Sequence, residues 1–250
     1  MSQAMNRGLM LIEAVGQAPG SISELARRLE LDKAVVSRLV GDAEAGGWLV
    51  RRDAIVGLGP RAAALGRSSQ AREFERLAAE LTHTIAGVTG LDAMVVQFAG
   101  ERGHTLAYAP GLTSVVSEMQ VDPFPLFATA AGLTMAAALD DADLERRLAA
   151  PLTRYTDRTV VDPAALRERI DAARQGILLR EDGEYAAGVG CFAAAWSHPL
   201  AIAPTSLAVL GPASLIAADE ELIRRAIEAA VQPNATRATV VAAASRPEAG

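Results

Sequence analysis

The sequence has few of the residues from which metal, disulfide or redox sites are built. Of its 250 residues, one is a cysteine, Cys191, and three are histidines. The histidines are far apart and show no HxxxH or HxH spacing. A single cysteine can form neither an internal disulfide nor a cysteine metal cluster. We therefore expect no metal site and no cofactor.

The sequence also lacks any run of about 18 apolar residues, so we expect no membrane span. The N-terminal stretch carries Glu13 among its apolar residues and has no small-residue cleavage pattern. It is therefore interpreted as a mature helix and not as a signal peptide. A cytoplasmic location is the default expectation.

An overall positive charge, which is common in nucleic-acid-binding proteins, is missing as well. The formal net charge is −6. Residues 1–66 hold eight Lys/Arg and seven Asp/Glu, whereas residues 67–250 hold sixteen and twenty-three. The acidity therefore lies in the second part, and DNA binding by the first part would require its cations to cluster on one face.

The first 66 residues predict three helices followed by a β-hairpin. The first helix covers 6–17, and Ser21 with Glu24 forms a capping-box pattern that opens the second. Asp32 can cap the third helix, Lys33–Ala45, whose apolar positions recur at i, i+3, i+4 and i+7. Two short strands around a tight turn follow. This order of elements is that of a winged helix-turn-helix.

The outward face of the third helix is polar and partly basic. An α-helix fits the major groove, where such side chains can reach base edges, and wing cations can neutralise phosphates. The candidate DNA-contacting residues are Arg27, Arg28, Lys33, Ala34, Ser37, Arg38, Arg51 and Arg52. The alternative interpretation is a three-helix protein-binding module with a solvated charged face.

The remaining sequence alternates strand and helix patterns. A linker helix at about 61–72 leads into a second domain at 72–232, followed by a flexible tail at 233–250. Strands are expected at 93–98, 105–108, 114–120, 177–180, 191–196 and 206–210. Helices are expected at 127–139, 143–149, 163–174 and 219–231.

Patterns that would indicate an enzyme are weak. Gly188-Val189-Gly190 is a lone GxG without the following helix and the downstream acid that a dinucleotide site requires. Cys191 could be a nucleophile, but a cysteine within an apolar run is more often a small buried residue. We therefore expect a protein without catalytic activity, and a small-molecule enzyme using Cys191 remains the less favoured alternative.

Several segments match one family in the same order along the chain. The first part contains SISELARRLELDKAVVSRLVGDAEAGGWLVRRD, followed by LGPR at 58–61. The second part contains FPLFATAAGLTMAAAL at 124–139, a long central segment at 152–195, and SLAVLGP at 206–212. Over nearly its whole length the chain resembles the isocitrate lyase regulator (IclR) type of bacterial transcription factors.

This resemblance implies an α+β protein: a winged helix-turn-helix, a linker helix and a C-terminal GAF-like effector-binding domain with an antiparallel sheet. It implies a homodimer or tetramer on palindromic operator DNA, with a small-molecule effector that modulates operator binding. The expected function is thus that of a ligand-responsive transcriptional regulator. The alternative is a GAF-like ligand-binding or oligomerisation module without sequence-specific DNA binding.

The resemblance also implies an effector pocket, and here the sequence departs from the family. The pocket would be lined by Ala130, Ala131, Glu181, Val189, Cys191, Ala208 and Leu210. The family often has small hydroxyl residues at the last two positions, where they would bond a carboxylate ligand. Since a buried carboxylate without donors is costly, we expect an effector more apolar or aromatic than a short acid, or no tight ligand.

Two further departures concern loops. The wing is about two residues shorter than usual and lacks the Asp-Gly turn, which puts its DNA contacts in question. The segment 197–204 is unusually apolar, and either packs on a partner subunit or covers the core of its own chain.

Overall fold

The computed structural model describes residues 2–65, 69–99, 102–114 and 125–245. The strand expected at 114–120 falls almost entirely outside these residues. The helices are α1 Gln3–Gln17, α2 Ile22–Leu29, α3 Lys33–Ala45, α4 Pro60–Leu65, α5 Ser69–Thr89, α6 Ala130–Ala136, α7 Asp141–Leu148, α8 Pro163–Arg174, α9 Ala213–Ala218, α10 Glu220–Ala230 and α11 Arg237–Ala244. The strands are β1 Leu49–Arg52, β2 Ile55–Leu58, β3 Asp92–Ala99, β4 Arg102–Ala109, β5 Leu179–Asp182, β6 Val189–Ala195 and β7 Thr205–Pro212.

The chain divides into two compact units, Met1–Arg72 and Glu73–Gly250. In the first unit, α1, α2 and α3 enclose an apolar core that includes Leu11, Leu25 and Val36. A capping box formed by Ser21 and Glu24 begins α2, as the sequence predicts. The hairpin of β1 and β2 follows α3. The first unit is therefore a winged helix-turn-helix.

The second unit is built on a five-stranded antiparallel sheet in the order β4-β3-β7-β6-β5. Both faces of the sheet are covered. Leu207 and Val209 of β7 join the core shared with α5 and α10, whereas Ala208 and Leu210 join the core shared with α6 and α8. Because this strand is buried on both sides, its sequence is continuously apolar instead of alternating.

An aromatic cluster connects the start of α5 to the end of β6. The Phe74 ring lies 5.1 Å from that of Trp196 and 5.5 Å from that of His198, between centroids. Leu200 and Ala201 pack on the same core. The apolar segment 197–204 therefore covers its own chain over part of its length.

The expectation of a flexible tail at 233–250 is wrong for residues 237–244, which form α11. Thr236 and Thr239 make a capping box at its start, and Val240 is fully buried against the core that contains α10. Alanine-rich segments have high helix propensity, and here a cap and one buried valine fix the helix. The final long helix expected at 219–231 is preceded by the separate short helix α9.

The other boundaries differ by a few residues. The strand expected at 177–180 begins two residues later, because Gly176 adopts a left-handed conformation (φ 81°) after α8 and Ile177 is half exposed. The helix expected at 127–139 is confined to α6. None of the helices in the described part of the chain combines the length and apolar character that a bilayer crossing needs.

Candidate functional site

The helix α3 presents a polar face directly opposite its buried face. Val36 and Val40 are fully buried, whereas the side chains of Lys33, Ser37 and Arg38 are exposed. The helix starts sharply at Asp32, whose carboxylate accepts hydrogen bonds from the backbone N–H groups of two residues in the first turn. The three exposed polar side chains lie within the first two turns, the part of a recognition helix that reaches base edges.

Among the described residues, the side chains of Lys33 and Arg38 have no hydrogen-bond or ion-pair partner, and neither do those of Arg27 and Arg52. All four are exposed. Cations that are not engaged within the protein can neutralise phosphate groups without first breaking an internal bond. These four side chains therefore provide the available positive charge among the predicted DNA-contacting residues.

The other two predicted cations are engaged within the protein. One guanidinium nitrogen of Arg28, Nη1, donates to the carbonyl oxygens of Ala14 and Ala18 at 3.2 and 2.7 Å, at the end of α1. Arg51 forms an ion pair with Glu44 at 2.9 Å. Both arginines thus hold the helix-turn-helix together, and contact with DNA would require them to share or exchange these partners.

The wing is short but firmly placed. Arg52 pairs with Ile55 across a two-residue turn, in which Asp53 has a φ of 56°. Such tight turns favour residues that tolerate positive φ, which Asp does better than most. Gly20 and Val56 exchange two backbone hydrogen bonds, at 2.9 and 3.2 Å, and so tie the wing to the loop before α2.

In the second unit, a small cavity lies beside the sheet where β3, β7, β6 and β5 meet α6. Glu181, Cys191 and Leu210 are register partners across three neighbouring strands and therefore share one face. We call this space the sheet cavity. Its volume is about 20 Å³, enough for a single water molecule. It is lined by Met94, Thr129, Ala131, Glu181, Tyr185, Ala186, Val189, Cys191, Ala208 and Leu210.

Glu181 is the ionisable carboxylate of this wall. Its Oε1 accepts hydrogen bonds from the backbone N–H groups of Glu184 at 2.6 Å and Tyr185 at 3.2 Å. Burial nevertheless raises the pKa of Glu181 to about 7, since the loss of hydration outweighs these bonds and the nearby Arg169. The carboxyl group can therefore change its charge near neutral pH.

Cys191 is buried next to Glu181, and both burial and the neighbouring carboxylate raise the pKa of its thiol. The thiol therefore stays protonated at neutral pH, and a protonated thiol is a poor nucleophile. In the part of the chain that the structure describes, no three His, Cys, Asp or Glu side chains gather as a metal site would require.

Each of the two units matches a known protein family. A model of the bacterial transcriptional regulator IclR C-terminal domain matches residues 117–235, and a MarR family model matches residues 9–55. An IclR-assigned regulator from Silicibacter sp. TM1040 is 26% identical, with 97% of this chain and 95% of that chain covered and a TM-score of 0.69. These matches support an IclR-type transcriptional regulator.

Two further solved structures share the fold of this IclR-type regulator. An IclR-type transcriptional regulator from Alicyclobacillus acidocaldarius is 20% identical, with 98% and 100% of the two chains covered and a TM-score of 0.72. An IclR homologue from Microbacterium hydrocarbonoxydans, complexed with 4-hydroxybenzoate, is 22% identical, with 97% and 98% covered and a TM-score of 0.71. A comparison with curated proteins gives no match.

The structure brings together most of the residues that the sequence suggests for the effector pocket of this IclR-type regulator. Six of the seven line the sheet cavity. The exception is Ala130, which is fully buried in α6 but is not part of the cavity wall. Ala208 and Leu210 do form an apolar part of the wall, as their residue types suggest.

Four lining residues were not predicted from the sequence. Met94 pairs with Ala208 in the register of β3 and β7, so it could be found only once the strand order was known. Thr129 caps α6, one residue before the predicted stretch. Tyr185 and Ala186 lie in the segment between β5 and β6, where flanking glycines at 183 and 188 indicate a turn that folds back on the sheet.

Proposed function

We propose that this IclR-type regulator binds operator DNA with α3 in the major groove and that a small molecule in the sheet cavity modulates the affinity. The observation that carries the proposal is the face of α3 on which Lys33, Ser37 and Arg38 are exposed opposite a fully buried apolar face. Lysine and arginine can bind guanine acceptors, and serine can bond either a base or a phosphate.

Phosphate contacts are assigned to Arg27 and Arg52, which have no partner among the described residues. Arg28 and Arg51 act mainly by supporting the helix-turn-helix, given their internal bonds. Ala34, exposed between Lys33 and Arg38 on the same face, offers a methyl contact to a base.

We further propose that the protein acts in the cytoplasm as a homodimer or tetramer, because two-fold symmetric operators match symmetric proteins.

For the effector we propose a molecule more apolar than a short carboxylic acid. The described wall of the sheet cavity contains no Lys, Arg or His. The 4-hydroxybenzoate bound by the Microbacterium homologue supports a ring-sized ligand. Apolar cavities that hold a benzene ring measure about 150 Å³, so the sheet cavity must widen when such a ligand binds.

The test of DNA binding is the substitution Arg38→Ala. If Arg38 makes a bidentate base contact, its loss should weaken binding by about 1–3 kcal/mol and relax sequence preference at one base pair. Electrophoretic mobility shift at fixed salt, with duplex DNA from upstream of the coding sequence, measures this change. Arg76→Ala, on the exposed face of α5, is the matched control and should leave affinity unchanged. Equal affinity of the Arg38→Ala variant and the unchanged protein would remove Arg38 from the interface.

A further inference from the structure

The polar side chains that line the sheet cavity are one carboxyl group, Glu181, and the neutral groups of Thr129, Tyr185 and Cys191. The Thr129 hydroxyl is already engaged, since it accepts from the Gly132 N–H at 2.9 Å and donates to the Pro125 carbonyl at 3.3 Å. The Cys191 thiol, a weak donor, lies 3.6 Å from the Phe192 carbonyl oxygen. None of the described lining residues is a Lys, Arg or His. The wall also contains the Tyr185 hydroxyl and the Ala131 N–H, which points at the Cys191 sulfur, so the described residues offer a ligand carboxylate neutral donors but no cation.

Glu181 is the group that still needs a partner. The two backbone N–H donors that reach it both bind Oε1, and no described residue donates to Oε2. An ionised carboxylate is an acceptor only, with room for several donors. The nearest cation, Arg169, is already bound to the Glu184 carboxylate and the Arg180 carbonyl oxygen, each at 2.7 Å.

The segment of the wall next to Glu181 is held by hydrogen bonds from two neighbouring hydroxyl groups. The Thr156 hydroxyl donates to the Gly183 carbonyl oxygen at 2.7 Å, and the Thr159 hydroxyl donates to the Glu184 carbonyl oxygen at 2.6 Å. Residues 183–188 join β5 to β6, and the glycines at both ends adopt left-handed conformations, with φ of 72° and 78°. Tyr185 and Ala186 of this segment line the cavity and are partly exposed. A ligand that enters beside the Glu181 carboxyl group by moving this segment outward must therefore break these bonds.

We propose that the sheet cavity selects a small aromatic ligand that carries a hydrogen-bond donor and no carboxylate, and that the donor pairs with Glu181. A phenol hydroxyl or an amine has the required chemistry. A benzoate-type ligand would place a second carboxylate beside Glu181 without a cation to offset the repulsion. This proposal rests on the proposed function, because it assigns the ligand class of the effector site.

The test is isothermal titration calorimetry of the full chain at a pH well above the Glu181 pKa of about 7, so that the carboxyl group is ionised. The four probes are similar in size: phenol, benzylamine, toluene and benzoate. We expect phenol or benzylamine to bind at least about ten-fold more tightly than benzoate and toluene, which is the order of one hydrogen bond to a charged group. In Glu181→Gln the amide Oε1 can keep the two backbone bonds and the amide NH₂ then faces the ligand. Benzoate should therefore gain affinity and the donor probes should lose it.

Asp182→Asn is the matched control, since this neighbouring carboxylate is half exposed and pairs with Arg158 at the surface. It should leave the ranking of the four probes unchanged. The proposal is overturned if benzoate binds as tightly as phenol and benzylamine, if Glu181→Gln leaves the ranking unchanged, or if all four probes bind more weakly than a Kd of about 1 mM. Because calorimetry uses no DNA, these outcomes are independent of whether α3 binds an operator.

Discussion

The buried carboxyl group of Glu181 should make the stability of the second unit depend on pH. Its pKa is raised from 4.5 to about 7 in the folded chain, mainly by burial, with Glu184 adding to the shift and Arg169 opposing it. Cys191 and Tyr185 are the other titratable groups beside it, and the pKa of each is raised above its ordinary value by burial. Folding therefore favours the protonated form of Glu181.

The sign and size of the effect follow from linkage. Below about pH 4.5 the carboxyl group is protonated in both the folded and the unfolded state, so its full contribution to the free energy of unfolding is present. This contribution is lost as the pH rises through about 7. Since one pKa unit corresponds to about 1.4 kcal/mol, the shift is worth on the order of 3 kcal/mol. The substitution Glu181→Gln removes this titration. As the pH rises across this range, the free energy of unfolding of the variant should therefore fall by about this much less than that of the unchanged protein.

Urea unfolding at a series of pH values measures this difference. Trp196 fluorescence in a Trp48→Phe background reports on the second unit alone, because the chain has two tryptophans and Trp48 belongs to the first unit. Any fixed cost of the amide group cancels, since the comparison is between pH values. Asp182→Asn serves as the control and should follow the unchanged protein. If the Glu181→Gln and unchanged proteins lose stability in parallel as the pH rises, burial does not control this carboxyl group.

Three further substitutions test the structural account by chemical unfolding. Asp92→Ala removes a fully buried carboxylate that accepts from the Gly111 N–H at 2.7 Å and the Ser114 hydroxyl at 3.0 Å, so about 2–3 kcal/mol should be lost; a loss below about 0.5 kcal/mol would show that these bonds are dispensable. Phe74→Ala empties a buried ring position and should cost about 3–5 kcal/mol, whereas a near-neutral result would mean that the aromatic cluster is not formed. Gly132→Ala would bring a methyl group against the Leu126 and Pro125 carbonyl oxygens, so it should displace α6 and destabilise the second unit, and unchanged stability would contradict that packing.

The first unit could be predicted almost completely from the sequence. Its helix boundaries are set by local signals, such as the capping box of Ser21 and Glu24 and the Asp32 cap, which act within three residues. Which of its cationic side chains are free to contact DNA could not be predicted in the same way. Arg28 reaches carbonyl groups 10 and 14 residues away, and such contacts depend on how α1 and α2 pack.

The sheet cavity shows where sequence reasoning ends. Residues on β6 and β7 could be placed through family resemblance, but Met94 joins the wall only because β3 pairs with β7 across more than 100 positions of sequence. Tyr185 enters because the segment between two left-handed glycines folds over the sheet. The tail was misjudged for a related reason: its alanine-rich composition is compatible with disorder or a helix, and the burial of Val240 decides between them.

The central claim is that this IclR-type protein recognises specific DNA through α3. Its most direct test is a mobility-shift titration of the full chain with duplex DNA from upstream of the coding sequence, alongside a scrambled duplex of the same length and composition, at one fixed salt concentration. We expect the upstream duplex to bind at least about a thousand-fold more tightly than the scrambled one. Equal affinity for both duplexes would contradict it.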